Sequence, residues 1–151
     1  MKRKETYTID NLEEGLEAKI ERLITKEDIQ NFAILTQDFH PLHTSPDYAK
    51  SNGFKDIIAH GLLLSSYSSS IIGMELPGEN AIIISQSFLY KKPVYPGTQL
   101  LIKGILNKID HRFSLLEIKI KITSIDSIKV FATGKYSVKV RSKISEIPTS
   151  I

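Results

Sequence analysis

The 151-residue chain has no cysteine. This absence excludes a disulfide framework, a thiolate metal site and a cysteine nucleophile, and it is compatible with the reducing cytoplasm in which we expect the protein to reside. No apolar run approaches the roughly 20 residues of a membrane-spanning helix, so no membrane association is expected. A glycine-rich phosphate loop and a G-x-S-x-G elbow are also absent from the sequence.

The chain also lacks a strong excess of either positive or negative charge. Twenty basic and seventeen acidic side chains leave a formal charge of +3. The lysines recur singly on strand-like segments, for example Lys119, Lys121, Lys135 and Lys139, which is typical of solvated sheet faces and protected sheet edges. Nucleic-acid binding would need a concentrated basic face with aromatic residues or glycines between the charges. We therefore expect no nucleic-acid partner.

Helix signals are present in the first half of the chain. Thr25 with Asp28 forms a capping-box pattern before an apolar periodic segment, and Ser45 followed by Pro46 predicts the start of a short second helix. Gly61 then opens a longer apolar segment of helical length with few charges. The small residues of this third helix would let it pack very close to a sheet.

The second half changes to the isoleucine- and valine-rich, partly alternating pattern of antiparallel strands. One strand is expected before the first helix and four after the last: GLEAKIERLI, AIIISQSFLYKKPV, QLLIKGILNKI, FSLLEIKIKITSI and IKVFATGKYSVKV. His111 would be an exposed residue of the turn IDHRFS. Neither a repeat nor a linker interrupts the chain, so we predict a single α+β domain over residues 1–151, with a buried helix against a strongly curved antiparallel sheet.

Three of the four histidines lie within DFHPLHTSPDYAKSNGFKDIIAHG, which begins at Asp38. Pro41 disfavours helical geometry at His40, which predicts a tight connection able to bring Asp38 and His43 towards one point. A carboxylate and an imidazole that share one water can activate it near neutral pH. The unpaired amides of a helix that begins at Gly61 would suit an oxyanion. Together these groups would suit proton chemistry beside a thioester carbonyl.

The same residues allow other interpretations. An aspartate–histidine pair beside proline is often only a hydrogen-bonded turn, and the glycine could serve helix packing alone. Serines of the third helix could bond back to helix carbonyls. A metal site built from Asp38, His40, His43 and His60 is conceivable. No compact ligand spacing such as H-E-x-x-H supports it, so we expect no metal.

This stretch resembles the hydratase 2 motif of the MaoC-like dehydratases and (R)-specific enoyl-CoA hydratases, which is D-x-N-P-x-H, then an alanine and a phenylalanine, then A/V-H-G-M/L-L. The matching positions are Asp38, Pro41, His43, Ala49, Phe54, His60, Gly61 and Leu63. The likeness continues through LPGENAIIISQSFLYKKPVYPGTQL and covers roughly residues 24–100. The clear departure is His40, where the family has asparagine.

The resemblance implies a hotdog fold, assembled as a homodimer or a higher homo-oligomer. It implies a hydratase or dehydratase that interconverts 2-enoyl and (R)-3-hydroxyacyl thioesters of coenzyme A or acyl carrier protein, with no cofactor. By the family's mechanism, Asp38 and His43 hold and activate the water, and the Gly61 N–H stabilises the thioester oxygen. Ser69 falls where the family has a serine that supports the site.

Two further expectations concern residues next to this site. His40 would either brace its loop or tune Asp38 electrostatically. Lys91 and Lys92, at a predicted strand end, would either steer an anionic acyl carrier or simply be solvated. Two alternative functions remain. One is a non-catalytic acyl-binding module, which the replacement of the family's asparagine by His40 favours. The other is a hotdog thioesterase, which is disfavoured because residues 61–74 contain no aspartate or glutamate.

Overall fold

The computed structural model describes residues 7–141, so the two ends of the predicted domain, 1–6 and 142–151, lie outside the described residues. After a 3₁₀ turn at Ile9–Asn11, the elements in chain order are β1 (Glu17–Leu23), α1 (Lys26–Thr36), α2 (Pro41–Thr44), α3 (Pro46–Ser51), α4 (Gly61–Met74), β2 (Ala81–Tyr90), β3 (Gln99–Asp110), β4 (Leu115–Ser124) and β5 (Val130–Val140). The predicted order of one strand, helices and four strands is confirmed.

Local side-chain caps set the helix starts. The Thr25 hydroxyl accepts the Asp28 amide at 3.0 Å, and the Asp28 carboxylate accepts the Thr25 amide at 2.8 Å, which closes a capping box before α1. Ser45 accepts the Tyr48 amide at 3.3 Å before α3, with Pro46 in the first helical position. Both caps satisfy amides that would otherwise lack an intrahelical partner. The two helix starts predicted from the sequence are confirmed.

The strands form one antiparallel sheet in the order β1-β3-β4-β5-β2. Register shifts interrupt three of the four pairings, at positions 83–85, 106–108 and 122–123. Such β-bulges bend strands and increase their twist, so they help the sheet to curve around α4. On β4 the isoleucines at 118, 120 and 122 are buried on the inner face, whereas Lys119 and Lys121 are exposed on the outer face.

Helix α4 lies against the inner face of the sheet. Ile71 and Ile72 are fully buried in the core. A Cβ atom added to Gly104 would lie 2.8 Å from the Cγ2 atom of Ile71, so the glycine leaves room for this side chain where α4 packs on β3. Hydroxyls of Ser65, Ser66, Ser68 and Ser70 donate to helix carbonyls three residues earlier. The expected close packing and serine back-bonding are confirmed.

Strand β2 is an edge strand, and its side chains are mostly exposed. The turn that connects β3 to β4 contains His111, which is exposed as expected. In the described part of the chain, none of the helices combines the length and apolarity needed to span a membrane.

Candidate active site

The segment between α1 and α4 carries the acid–base candidates. Gln37 ends α1 in the left-handed conformation at φ 60°, and the chain then turns through Asp38 into α2. His40 has extended backbone angles (φ −54°, ψ 133°), as the following proline requires. The expected tight connection is present, and within it residues 41–44 close one helical turn that was not predicted. Proline favours the first position of such a turn.

Asp38 is held by its own loop. One carboxylate oxygen, Oδ1, accepts the His40 amide at 3.2 Å, which is the short-range bond that aspartate often makes in turns. The other oxygen, Oδ2, lies 3.9 Å from Nε2 of His60, and the side chain remains about half exposed. The carboxylate is therefore fixed through one oxygen and keeps the other available to a water or substrate.

His43 lies at the C-terminal end of α2. Its Nδ1 atom donates a hydrogen bond of 2.7 Å to the Ile58 carbonyl, which can only accept. That bond places the proton on Nδ1 and leaves a lone pair on Nε2. A ring nitrogen of His43, a ring nitrogen of His60 and a carboxylate oxygen of Asp38 all lie within 4.8 Å of one another. The structure thus brings together the acid–base pair that the sequence predicts.

His60 contacts both Asp38 and His43. It is 3% exposed, and its Nε2 donates to the main-chain carbonyl of Asp38 at 3.1 Å. Its ring stacks on His43 with centroids 3.7 Å apart and packs against Phe32 at 5.0 Å. His60 is also the residue that precedes the first turn of α4, which begins at Gly61. One buried ring therefore contacts both the Asp38 loop and His43, and it directly precedes α4.

The His60 ring also has an unusual feature. Within the described residues, its buried Nδ1 atom has no hydrogen-bond partner. Leaving a buried acceptor unsatisfied typically costs about 1–3 kcal/mol. The position of the ring is therefore set by the hydrogen bond from Nε2 to Asp38 and by its packing on His43 and Phe32.

The pKa of His43 is lowered from its ordinary value of 6.5. Burial is the main cause, because it disfavours the charged imidazolium. The hydrogen bond to Ile58 raises the pKa, the neighbouring His60 lowers it, Asp38 raises it, and His40 lowers it again. At neutral pH the imidazole is therefore neutral, which is the form that a general base requires.

His40 acts as the cap of α2. Its Nδ1 atom accepts the Leu42 amide at 3.3 Å, and its ring lies 5.9 Å from that of His43. An asparagine side-chain oxygen is a preferred acceptor at this same capping position. The geometry favours the bracing role for His40 and gives a physical reason why histidine can replace the family's asparagine.

Gly61 and Tyr90 form the opposite wall. The Tyr90 ring covers Gly61 so closely that a Cβ atom at residue 61 would lie 3.0 Å from it. The Tyr90 hydroxyl donates to Ser65 at 3.1 Å, which anchors the ring on α4. Amides in the first turn of a helix have no intrahelical acceptor, so the Gly61 N–H can serve a ligand. Tyr90 was not among the residues predicted for the site, although its position just before Lys91 and Lys92 could have indicated it.

A cavity of about 370 Å³ adjoins this wall. It is lined by His43, Phe54, Ile58, Ala59, Gly61, Leu64, Tyr90, Lys91, Lys92, Pro93 and Val94. The candidate base, the candidate oxyanion donor and both predicted steering lysines thus share one mostly apolar space. Such a cavity, with a few convergent polar groups, is typical of a small-molecule site.

Ser69 is placed differently. It is exposed on α4, two turns after Gly61, and it does not belong to the lining of this cavity. Ser65, one turn after Gly61, is the serine that bonds to the cavity wall through Tyr90. The supporting role of Ser69 stays a prediction.

The three clustered donors, Asp38, His43 and His60, also raise the question of a metal. The Nε2 atom of His60 carries the proton that it donates to the Asp38 carbonyl, so it offers no lone pair to an ion. The rings of His43 and His60 are stacked at 27°, so their nitrogen lone pairs point side by side rather than converge on one centre. The arrangement suits proton transfer better than metal binding, and the metal-free site stays a prediction.

Comparisons with known proteins place these residues in context. The MaoC like domain model matches residues 8–127. The chain is 37% identical over 90 residues to the (R)-specific enoyl-CoA hydratase of Aeromonas caviae, across 60% of this chain and 67% of that protein. It is 39% identical over 80 residues to the mitochondrial 3-hydroxyacyl-[acyl-carrier-protein] dehydratase of Arabidopsis thaliana, across 53% of this chain and 47% of that protein. The alignment thus spans about half the length of the plant relative.

A solved structure of the (R)-hydratase from A. caviae involved in PHA biosynthesis is similar to this fold, with a TM-score of 0.82 and 29% identity. The match covers 87% of this chain and 98% of that one. These findings confirm the predicted resemblance and the hotdog fold. The relatives are named as hydratases and dehydratases, which confirms the predicted class, a hydro-lyase.

Proposed function

Because the chain belongs to the MaoC-like domain family, we propose that it catalyses the reversible addition of water to 2-enoyl thioesters, giving (R)-3-hydroxyacyl thioesters. The observation that carries this proposal is the approach of the Asp38 carboxylate and the His43 ring within 4.8 Å. His43 and Gly61 also line the same cavity. An acid–base pair beside an oxyanion donor is the machinery that this reaction needs.

In the proposed hydration, one water lies between the free oxygen of Asp38 and Nε2 of His43. His43 takes a proton as the water oxygen bonds to the β-carbon, and Asp38 accepts the remaining hydrogen bond and orients the water. The electron pair of the double bond moves onto the thioester oxygen, opposite the Gly61 N–H. The proton is then delivered to the α-carbon, so one water has been added in full. Dehydration is the reverse.

The direct test is the hydration of crotonyl-CoA by the purified protein, followed as the loss of enoyl absorbance. Chiral analysis of the 3-hydroxy product tests the (R) configuration. Hydration that disappears in a folded His43→Ala variant supports the proposal. A folded wild-type protein that hydrates no enoyl thioester in a chain-length panel would favour the non-catalytic acyl-binding alternative.

That alternative has lost part of its support. It was favoured by the replacement of the family's asparagine by His40, but His40 caps α2 through Nδ1 as an asparagine oxygen would. For the thioesterase alternative, residues 61–74 of the central helix contain no aspartate or glutamate to activate a hydrolytic water. The hydratase proposal therefore explains more of the site than either alternative.

A homodimer is part of the proposal. The edge strand β2 exposes three consecutive isoleucines, Ile82, Ile83 and Ile84, at 45%, 40% and 59%. An exposed apolar edge strand is a template for pairing with a second chain, and an isologous contact would cover it in both copies. We expect sedimentation analysis to show a dimer at micromolar concentration and Ile84→Lys to shift it towards monomer. A wild-type monomer would contradict this assembly.

The positive charges of Lys91 and Lys92 favour a substrate whose acyl group is attached to an anionic carrier. Both are exposed and both line the cavity that contains His43. Coenzyme A and acyl carrier protein are both anionic and both present the acyl group on a pantetheine arm. The proposed reaction needs no cofactor, and a cytoplasmic location without a nucleic-acid or membrane partner remains our expectation.

A further inference from the structure

The outer face of the sheet gathers lysines that are scattered in the sequence. The strand register places Lys19 opposite Lys103 and Lys103 opposite Lys121 in one rung, which continues through Thr133 to Leu89. Residues directly opposite each other in antiparallel strands point to the same face. Three lysines of three neighbouring strands are therefore aligned side by side.

The adjacent rung adds two more lysines. It runs from Glu17 through Ile105, Lys119 and Lys135 to Ser87. The ten side chains of the two rungs thus include five lysines and one glutamate. We name the five, Lys19, Lys103, Lys119, Lys121 and Lys135, the lysine strip.

Only part of this charge is neutralised. Lys103 forms an ion pair of 2.7 Å with Glu17, and Lys135 one of 3.6 Å with Glu117 from the next rung. Lys119 and Lys121 are exposed and form no ion pair with the part of the chain that the structure describes. Like charges directly opposite each other destabilise a sheet, so this alignment is unfavourable unless an anion offsets it.

The lysine strip shares a groove with apolar side chains. A groove of about 600 Å³ is lined by four of the five lysines together with apolar residues that include Leu89 and Ile105. Leu89 is 63% exposed. Lysines beside exposed apolar side chains are complementary to an acidic protein surface that also carries apolar side chains, because interfaces combine apolar contacts with complementary charges.

The groove and the cavity of the candidate active site both reach the C-terminal end of β2. Leu89 lines the groove, and the next three residues of the chain, Tyr90, Lys91 and Lys92, line the cavity that contains His43. Because neighbouring residues of a strand point to opposite faces, the groove lies on the outer face of this strand end and the cavity on its inner face. The rung that begins at Leu89 leads from there through Thr133 to the lysines at positions 121, 103 and 19. That rung crosses four strand spacings, or about 19 Å. A surface of this length suits a protein partner, which typically buries about 800 Å² on each side, better than the nucleotide of coenzyme A.

We propose that the lysine strip is the docking surface for an acidic acyl carrier protein that delivers the substrate to the cavity beside it. This inference rests on the proposed function for the identity of the acyl group. It goes beyond that function by separating two surfaces. Lys91 and Lys92 meet the phosphates of either carrier, whereas the lysine strip meets only the protein carrier.

The test compares the same crotonyl group on coenzyme A and on a purified acyl carrier protein. The test variant is Lys119→Glu/Lys121→Glu, which reverses two of the charges that form no ion pair with the described residues. We expect its KM for the crotonyl-carrier protein at low ionic strength to rise about tenfold or more, since steering typically changes association rates by 10–10³. Its kcat, and both constants for crotonyl-CoA, should stay at the wild-type values.

A matched control is Lys108→Glu/Arg112→Glu, which changes the net charge equally near the β3–β4 turn of the same sheet. It should leave the KM for both substrates unchanged. Reversal of Lys91 and Lys92 should instead raise the KM for both substrates. Added salt should weaken the wild-type preference for the carrier protein and abolish the difference between wild type and the lysine-strip variant.

Two results would overturn the docking surface while leaving the hydratase proposal intact: equal KM changes for the two carriers in the lysine-strip variant, or wild-type hydration of crotonyl-CoA alone. If neither substrate is hydrated, the proposed function fails. In that case, the dissociation constant of the labelled carrier protein can still be measured by fluorescence anisotropy. Equal dissociation constants for wild type and the lysine-strip variant would also overturn the proposed docking surface.

Discussion

The loop that carries Asp38 and His43 and the outer face that carries the lysine strip hold their polar groups in opposite ways. In the loop, the main chain bonds each functional side chain: Asp38 accepts an amide, and His43 and His60 donate to carbonyls. On the outer face, Lys119 and Lys121 extend into solvent. Activity in the loop should therefore depend on individual atoms, whereas the strip should act through summed charge. The following predictions test this contrast.

The largest effect is expected from the acid–base pair. Asp38→Asn and His43→Ala should each lower kcat for hydration by about 10²–10⁴-fold, the usual contribution of such groups. Since both act on one water, the double variant should lose little more than the worse single variant. Steady-state kinetics on crotonyl-CoA measures this, with circular dichroism to verify folding. Near-wild-type kcat in both single variants would remove the pair from the mechanism.

His60 should give an intermediate effect. His60→Phe keeps a ring against His43 but removes the donor to the Asp38 carbonyl, so kcat should fall about tenfold, as expected for about 1–1.5 kcal/mol of one hydrogen bond. Because His60 lowers the pKa of His43, its removal should also move the acidic limb of the pH–rate profile to higher pH.

The exposed turn residue offers a matched control for this change. His111→Phe makes the same substitution far from the site in sequence and should alter neither kcat nor the pH profile. A His60→Phe enzyme that matched wild type in both would show that the ring serves core packing only.

The third prediction concerns wild-type pH dependence. With the pKa of His43 below 6.5, the base stays neutral until the pH falls below that value, so the acidic limb of kcat/KM should have its midpoint below 6.5. The same shift has a consequence for stability. In the window between the lowered folded pKa and 6.5, the unfolded chain binds the proton and the folded one does not, so stability falls as pH falls.

Urea titrations across this pH window measure the stability effect, with His43→Gln as the control that should flatten the part due to this residue. An acidic limb centred above 6.5 would contradict the neutral-base assignment.

The smallest effect is expected at His40. Asparagine would accept the Leu42 amide as the Nδ1 atom of histidine does, so His40→Asn should retain activity and stability within about twofold and about 0.5 kcal/mol. His40 is the last of the causes that lower the pKa of His43, so the acidic limb should move only slightly upward. His40→Ala, which lacks a capping acceptor, is the paired variant and should cost about 1 kcal/mol. An inactive but folded His40→Asn protein would assign this ring a direct role.

Local signals made much of the fold predictable. The Thr25–Asp28 capping box, the Ser45–Pro46 start of α3 and the alternating strands each depend on residues a few positions apart, and all are confirmed. The single turn of α2 was missed, because Pro41 both disfavours helix before it and favours helix from it. Four residues are too few for apolar periodicity to resolve these two tendencies.

The candidate site was predictable in part for the same reason. Asp38 and His43 are five positions apart on a chain segment stiffened by proline, so their approach could be expected from the sequence. Tyr90 was not found, because its position over Gly61 depends on where β2 enters the sheet beside α4. Ser69 shares its helix with Gly61, but which side of α4 faces the cavity is decided by packing against the sheet.

By itself the sequence determined the caps, the alternation of the strands and the local placement of the acid–base pair, since short-range sterics and hydrogen bonds act between near neighbours. It also indicated that lysines such as Lys119 and Lys121 lie on a solvated face, and they do. Only the tertiary structure decided that five lysines from four strands meet in two rungs and that His60 stacks on His43. Cross-strand register and ring stacking join residues far apart in the chain, and β-bulges shift that register by single residues, so their outcome is fixed only when the whole sheet closes around α4.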